Sequence, residues 1–218
     1  MVGSTARVQP THPIVRPSSW LPPAGLLGPF AFEGRDAYQS RLRRPDLNRP
    51  WEYRLTLGTQ WSFKPGDRLK SASEVLCELL RVAGRGGNML LNVGPQPDGR
   101  IEPRQAAILL QIGAWLDEHG ESVYRTRPGP YPPAEGYVST RRDRVVYLHL
   151  LEHPDGPIDL PAYGRRLVSS GLMTGGGGIT AEENDDRIKL SVDVERGNLL
   201  PWTVRLEFDL PVPQRELR

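Results

Sequence analysis

The stretch Gly86-Gly87-Asn88-Met89-Leu90-Leu91-Asn92-Val93-Gly94-Pro95 constrains this chain more than any other, because its apolar run is too short for a helix and is stopped at once by Gly-Pro. Met89 to Val93 predicts one strand, apolar apart from Asn92, as in a parallel sheet covered on both faces. Upstream, Ser71 with Glu74 forms a capping box for a helix whose buried face is Val75, Leu76, Leu79, Leu80, Val82 and Ala83. Downstream, Asp98-Gly99 marks a turn and Pro103 suits the first helical position. Ile108, Leu109, Ile112, Trp115 and Leu116 then make one stripe that ends at His119-Gly120, with Gly120 expected as a left-handed C-cap. Helix, buried strand and helix are the repeating parts of an α/β barrel. In such a barrel the C-terminal strand ends face the active site, so Asn92 is either a ligand contact or the cap of a loop.

The chain changes character after Pro128-Gly129-Pro130-Tyr131-Pro132-Pro133, which reads as a stiff linker over residues 128–136. Beyond it, Arg144 to Leu151, Arg166 to Leu172, Arg187 to Val194 and Thr203 to Leu210 alternate as strands. Turn clusters at Pro154-Asp155-Gly156, Gly175 to Gly178 and Asn184-Asp185-Asp186 separate them, predicting an antiparallel β-sandwich over 137–218. Ahead of both regions, residues 1–47 are broken by prolines and carry Arg35, Arg41, Arg43 and Arg44 without periodicity, so a disordered or displaced leader is expected.

Composition narrows the function classes. A formal charge of +2 gives no general case for nucleic-acid or membrane binding, and a solvated segment is the simpler reading of the arginine cluster. The single cysteine, Cys77, excludes an intrachain disulfide and falls inside the capped helix as a small core residue. His12, His119, His149 and His153 lack metal-ligand spacing with carboxylates or Cys77, so no metal is expected. Gly175 to Gly178 lacks the ending of a phosphate loop. No run is apolar enough to span a membrane, and the first residues lack the zones of an export signal.

Several ordered blocks together resemble one enzyme family. Gly86-Gly87-Asn88, the apolar strand, Asn92-Val93-Gly94-Pro95, Asp98-Gly99, the Pro-led helix, and Trp115-Leu116 with Gly120-Glu121-Ser122-Val123-Tyr124 and Thr126-Arg127 are similar to the end of the catalytic barrel in α-L-fucosidases. Arg49-Pro50-Trp51-Glu52, Leu55-Thr56-Leu57 and Trp61-Ser62-Phe63-Lys64 resemble an earlier block of that family in the same order. The similarity runs from about Asn48 to Thr140 and continues more weakly to the C-terminus. It implies an α/β fold: the last strand-helix units of a (β/α)8 TIM barrel over 48–127, then a C-terminal antiparallel β-sandwich. Since a whole barrel needs about 250 residues, the chain is expected to be a fragment.

The resemblance also implies retaining hydrolysis of terminal α-L-fucose from oligosaccharides or glycoconjugates, with a fucosylated glycan as partner and no cofactor; the family is often secreted, periplasmic or lysosomal, which leaves the localisation of this chain unspecified. It specifies no oligomeric state. Such hydrolases use two carboxyl groups about 5 to 5.5 Å apart. The family's nucleophilic Asp would lie on an earlier strand, and where its Thr-Pro-Glu element would fall this chain reads Ala37-Tyr38-Gln39-Ser40-Arg41. Glu52 is the one carboxylate in the earlier matched block. It is either a general acid shielded by Trp51 or an ion-pair partner of Arg54 or a neighbouring arginine. Trp61 and Phe63 either pack on the apolar side of the deoxysugar or plug the gap between barrel and β-domain. A non-catalytic carbohydrate-binding or structural protein is the alternative expectation.

Overall fold

Strands β1 (Glu52–Thr56) and β2 (Asn88–Asn92) run parallel, with Glu52 opposite Asn88 and Thr56 opposite Asn92. They belong to a computed structural model that describes residues 51–134, 136–174, 177–194 and 201–213. The leader read over 1–47 lies outside the described residues.

Helix α1 (Ala72–Ala83) begins where its capping box requires: the Glu74 amide donates to Ser71 Oγ at 3.2 Å, and the Ser71 amide donates to Glu74 Oε2 at 2.7 Å. Helix α2 (Pro103–His119) starts with proline at its first position. Gly99, at φ +81, makes the turn ahead of it. Both helices pack on one side of the strand pair, and Leu55, Leu57, Val75, Leu76 and Ile112 form the centre of that core.

Two expectations fail here. Strand β2 is not covered on both faces: Met89 and Leu91 join the core while Leu90, pointing the other way, is 40% exposed. The reason is that β1 and β2 form a two-stranded sheet among the described residues, with helices against one face. Gly120 is not left-handed either. At φ −58 it continues α2 into a short 3-10 turn, Gly120–Ser122.

The rest of the chain forms two antiparallel sheets. The larger contains β3 (Arg127–Pro128), β4 (Tyr137–Arg142), β5 (Val145–Leu150), β7 (Leu167–Leu172) and β10 (Trp202–Phe208), in the order β3-β4-β5-β10-β7. The smaller contains β6 (Ile158–Pro161), β8 (Gly177–Asn184) and β9 (Arg187–Val194), in the order β6-β9-β8. Val146, Leu148 and Leu150 alternate inward from β5, and Val204, Leu206 and Phe208 from β10, to meet Leu160, Ile188 and Leu190 of the smaller sheet.

Strands β4, β6 and β8 were missed in the sequence for local reasons. β4 ends in the polar run Ser139-Thr140-Arg141-Arg142, β6 is four residues long and ends in proline, and β8 opens on Gly177-Gly178, which pair with Val194 and Asp193 instead of forming a turn. The Asp185-Asp186 turn does form, with both residues at positive φ, between Asn184 and Arg187.

The segment expected to be a linker is instead part of the larger sheet. Arg127 and Pro128 pair with Arg141 and Thr140, the Gly129 amide donates to the Ser139 carbonyl at 2.9 Å, and Tyr131 is 1% exposed inside the core. A proline-rich stretch can edge a sheet because its missing donors face outward.

The larger sheet is buried on its second face as well. Val138 packs with Cys77 and Leu80 of α1, so the lone thiol is a core group, its pKa raised by burial. Deeper in, the Thr140 hydroxyl donates to the Ser122 carbonyl at 2.6 Å. Its oxygen thereby accepts from His149 Nε2 at 2.9 Å, which leaves Nδ1 to accept from the Thr203 hydroxyl at 3.0 Å. Nearby, His119 stacks on Trp115, donates from Nδ1 to the Trp115 carbonyl at 3.0 Å and accepts from Thr174 at Nε2 at 2.6 Å. The two imidazoles are thus structural parts of the junction, and burial holds both below the ordinary histidine range.

Candidate functional site

The C-terminal ends of β1 and β2 are where parallel strands present side chains to a ligand. Pairing runs on past Thr56, since the Leu57 amide donates to the Asn92 carbonyl at 2.9 Å. That places the loop 58–70 over the end of β2. Asn92 then reaches across it, its side-chain amide donating to the Trp61 carbonyl at 2.8 Å.

Gly94 allows the loop to come this close: a Cβ there would stand 2.6 Å from the Phe63 nitrogen and 2.7 Å from the Ser62 carbonyl carbon. Behind it, the Gly94 amide donates to the buried Gln105 of α2 at 3.3 Å. Trp61 is left 52% exposed at the tip, more open than a packing plug would be. Asn92, Trp61 and Phe63 are therefore brought to one place.

The loop closes on Asp67, a carboxylate only 6% exposed. It accepts from the Thr59 hydroxyl at 2.6 Å, the Thr59 amide at 2.8 Å and the Arg68 amide at 2.9 Å, with Lys64 Nζ at 3.5 Å. Those hydrogen bonds, Thr59's foremost, lower its pKa to about 2. Lys70 ties the base of the loop by donating from Nζ to the Thr56 carbonyl at 2.8 Å. Arg104 of α2 donates to the Asp67 carbonyl at 3.2 Å. None of these was singled out in the sequence. Lys64-Pro65-Gly66-Asp67 reads as a turn, and nothing in its spacing says that the carboxylate folds inward.

Glu52 is not part of this group. It stands at the opposite end of β1, four residues and roughly 13 Å of strand from Thr56. Its side chain is 48% exposed and lies 3.8 Å from Arg54, the ion pair that the sequence offered as one of two readings. Trp51 faces Gly87, where a Cβ would come within 2.4 Å of the indole ring, and its N–H donates to the Arg85 carbonyl at 3.3 Å. Among the described residues, no group of His, Cys, Asp or Glu is arranged to hold a metal ion, and no helix is long and apolar enough to cross a membrane.

Known proteins share this arrangement of blocks. The family profile described as Alpha-L-fucosidase matches residues 31–121. That span of the chain is similar to the α-L-fucosidase family. Its fucosidase match opens at residue 31, inside the span read as a leader and earlier than Asn48, where the resemblance was seen to begin. Tissue alpha-L-fucosidase of Homo sapiens is 31% identical over 145 residues, 62% of this chain and 30% of that protein. The Bos taurus counterpart is 36% identical over 88 residues, 40% of this chain and 19% of its own length. The chain thus spans under a third of the length of these relatives.

Among solved structures, the alpha-L-fucosidase of Vibrio sp. strain EJY3 matches with a TM-score of 0.67 and 26% identity, over 75% of this chain and 30% of that one. A GH29 alpha-L-fucosidase of Bacteroides thetaiotaomicron, trapped as a covalent intermediate in complex with 2-fluoro-fucosyl fluoride, matches with a TM-score of 0.63 and 25% identity, over 76% of this chain and 40% of that one.

Proposed function

We propose that this chain supplies the sugar-contacting edge of an α-L-fucosidase-type glycoside hydrolase, acting on terminal α-L-fucose of oligosaccharides or glycoconjugates with retention and without a cofactor. The observation that carries this reading is the Asn92 amide bonded to the Trp61 carbonyl at the C-terminal ends of two parallel strands. An indole face suits the apolar side and methyl group of a deoxysugar, and Asn92 adds a polar partner beside it. In this proposal β1, α1, β2 and α2 are the last strand-helix units of a (β/α)8 barrel, joined to a β-domain that begins with β3. The covalent intermediate trapped in the Bacteroides relative supports retention.

The chemistry has a further consequence. Retention needs two carboxyl groups about 5 to 5.5 Å apart at the anomeric carbon. Glu52 lies at the far end of its strand, and Asp67 already accepts from Thr59 and Arg68. Glu52 therefore favours the second reading for the chain by itself: a carbohydrate-binding part that does not hydrolyse alone. Two measurements test the pair of readings. L-fucose should perturb the fluorescence of the chain and lose that effect in Trp61→Ala, while an aryl α-L-fucoside should stay intact. Turnover by the purified chain that disappears in Glu52→Ala would return Glu52 to the reaction and refute the non-catalytic reading.

A further inference from the structure

We infer that Asp67 is a positioning residue for this site, fixing the loop from Thr59 to Phe63 so that Trp61 is held over Asn92. The inference rests on the reading that Trp61 and Asn92 contact the sugar. It begins with a mismatch between chemistry and place: a carboxylate 6% exposed is costly unless donors surround it, and a leucine would fill the same space without that requirement. The side-chain acceptors of Asp67 are used on its own loop. Oδ2 accepts from the Thr59 amide at the rising side, and Oδ1 accepts from both the Thr59 hydroxyl and the Arg68 amide at the returning side.

The carboxylate thus joins two points of the chain that the tip, Gln60 to Phe63, separates. Below it, Lys70 bonds the Thr56 carbonyl at 2.8 Å, and the Lys70 amide bonds the Leu57 carbonyl at 2.9 Å, so the base of the loop is closed without Asp67. From α2, Arg104 donates to the Asp67 backbone carbonyl and anchors the returning side. What Asp67 adds is rigidity of the upper loop. Above it, Trp61 is held through its own carbonyl by Asn92 and through Phe63 by the close seat on Gly94. If the Thr59 side drifts, the Asn92 bond to Trp61 is the first to lengthen, because both residues near that tip are partly open to water.

The test uses the full chain labelled with fluorotryptophan, with the Trp61 resonance assigned through Trp61→Phe. Asp67→Ala should shift or broaden that resonance, reduce protection of the Thr59 and Arg68 amides from hydrogen exchange by about tenfold, and leave the Trp115 and Trp202 resonances in place. L-fucose should bind about tenfold more weakly to it than to the unmodified chain. Asp67→Asn keeps one oxygen acceptor and should fall between the two. Thr59→Val removes one donor from an exposed residue and gives the same direction of effect should Asp67→Ala not fold. Ser71→Ala is the control, since it weakens α1 without touching the loop.

An unmoved Trp61 resonance in both Asp67→Ala and Thr59→Val would overturn the proposal, as would an equal change in Ser71→Ala. If the unmodified chain shows no response to L-fucose, the sugar reading fails, and the exchange and resonance data still decide whether Asp67 holds the loop.

Discussion

The β region from Arg127 to Val212 and the α/β region from Glu52 to Ser122 differ in how their strands are covered. In the β region the larger sheet is buried on both sides, by the smaller sheet through Leu148 and Leu206 and by the helical region through Val138 and Thr140. In the α/β region the two parallel strands are covered on one side, and Leu90 looks outward. The contrast teaches that the β region is not a module hung on a tether. It carries the largest core among the described residues and is docked by the buried hydrogen bond from Thr140 to Ser122, so the segment 128–134 should resist limited proteolysis.

The sharpest way to break the comparison is to empty each region in turn. Phe208→Ala removes a ring that is 0% exposed, and it should cost about 3–5 kcal/mol in urea unfolding. Leu90→Ala should cost less than about 1 kcal/mol, because that side chain is already 40% exposed. Equal losses would mean that the outer face of β2 is covered.

The next effect reads the junction through acidity. Burial, followed by the proximity of His119, lowers the His149 pKa from its ordinary value of 6.5 to about 3, so the folded state holds this ring neutral while the unfolded chain protonates it. Stability from this group is complete above about pH 6.5 and is lost as pH falls from there toward 3, a change on the order of a few kcal/mol. His149→Gln should flatten the fall in melting temperature across that window. Asp67 acts lower: its contribution, complete above its ordinary value of 3.8, is lost as pH falls through about 2.

A smaller loss is expected at the start of α1, where Ser71→Ala removes one half of the capping box and should cost about 0.5–2 kcal/mol. Most local is Gly94→Ala. The added methyl meets the backbone at Ser62 and Phe63, so the loop must move, and the Trp61 emission should shift together with a fall in melting temperature.

Local chemistry decided much of this chain. The capping box at Ser71, the proline at the head of α2, the short run from Met89 to Asn92 and the Asp185-Asp186 turn each specify their own backbone, and the ordered blocks carried the resemblance to α-L-fucosidases. Trp61 and Phe63 were expected at the sugar from the resemblance and Asn92 from its place at a strand end, and strand direction places the end of β2 beside the loop after β1. Tertiary structure decided the rest. Which face of β2 is covered, the sheet that absorbs Pro128 and Tyr131, the neutral His149 between two threonines, the distance of Glu52 from Asn92 and the inward turn of Asp67 all depend on groups far apart in the chain. Sequence periodicity reports which residues avoid water. It does not report which partner takes water's place, and that partner sets burial, charge state and reach.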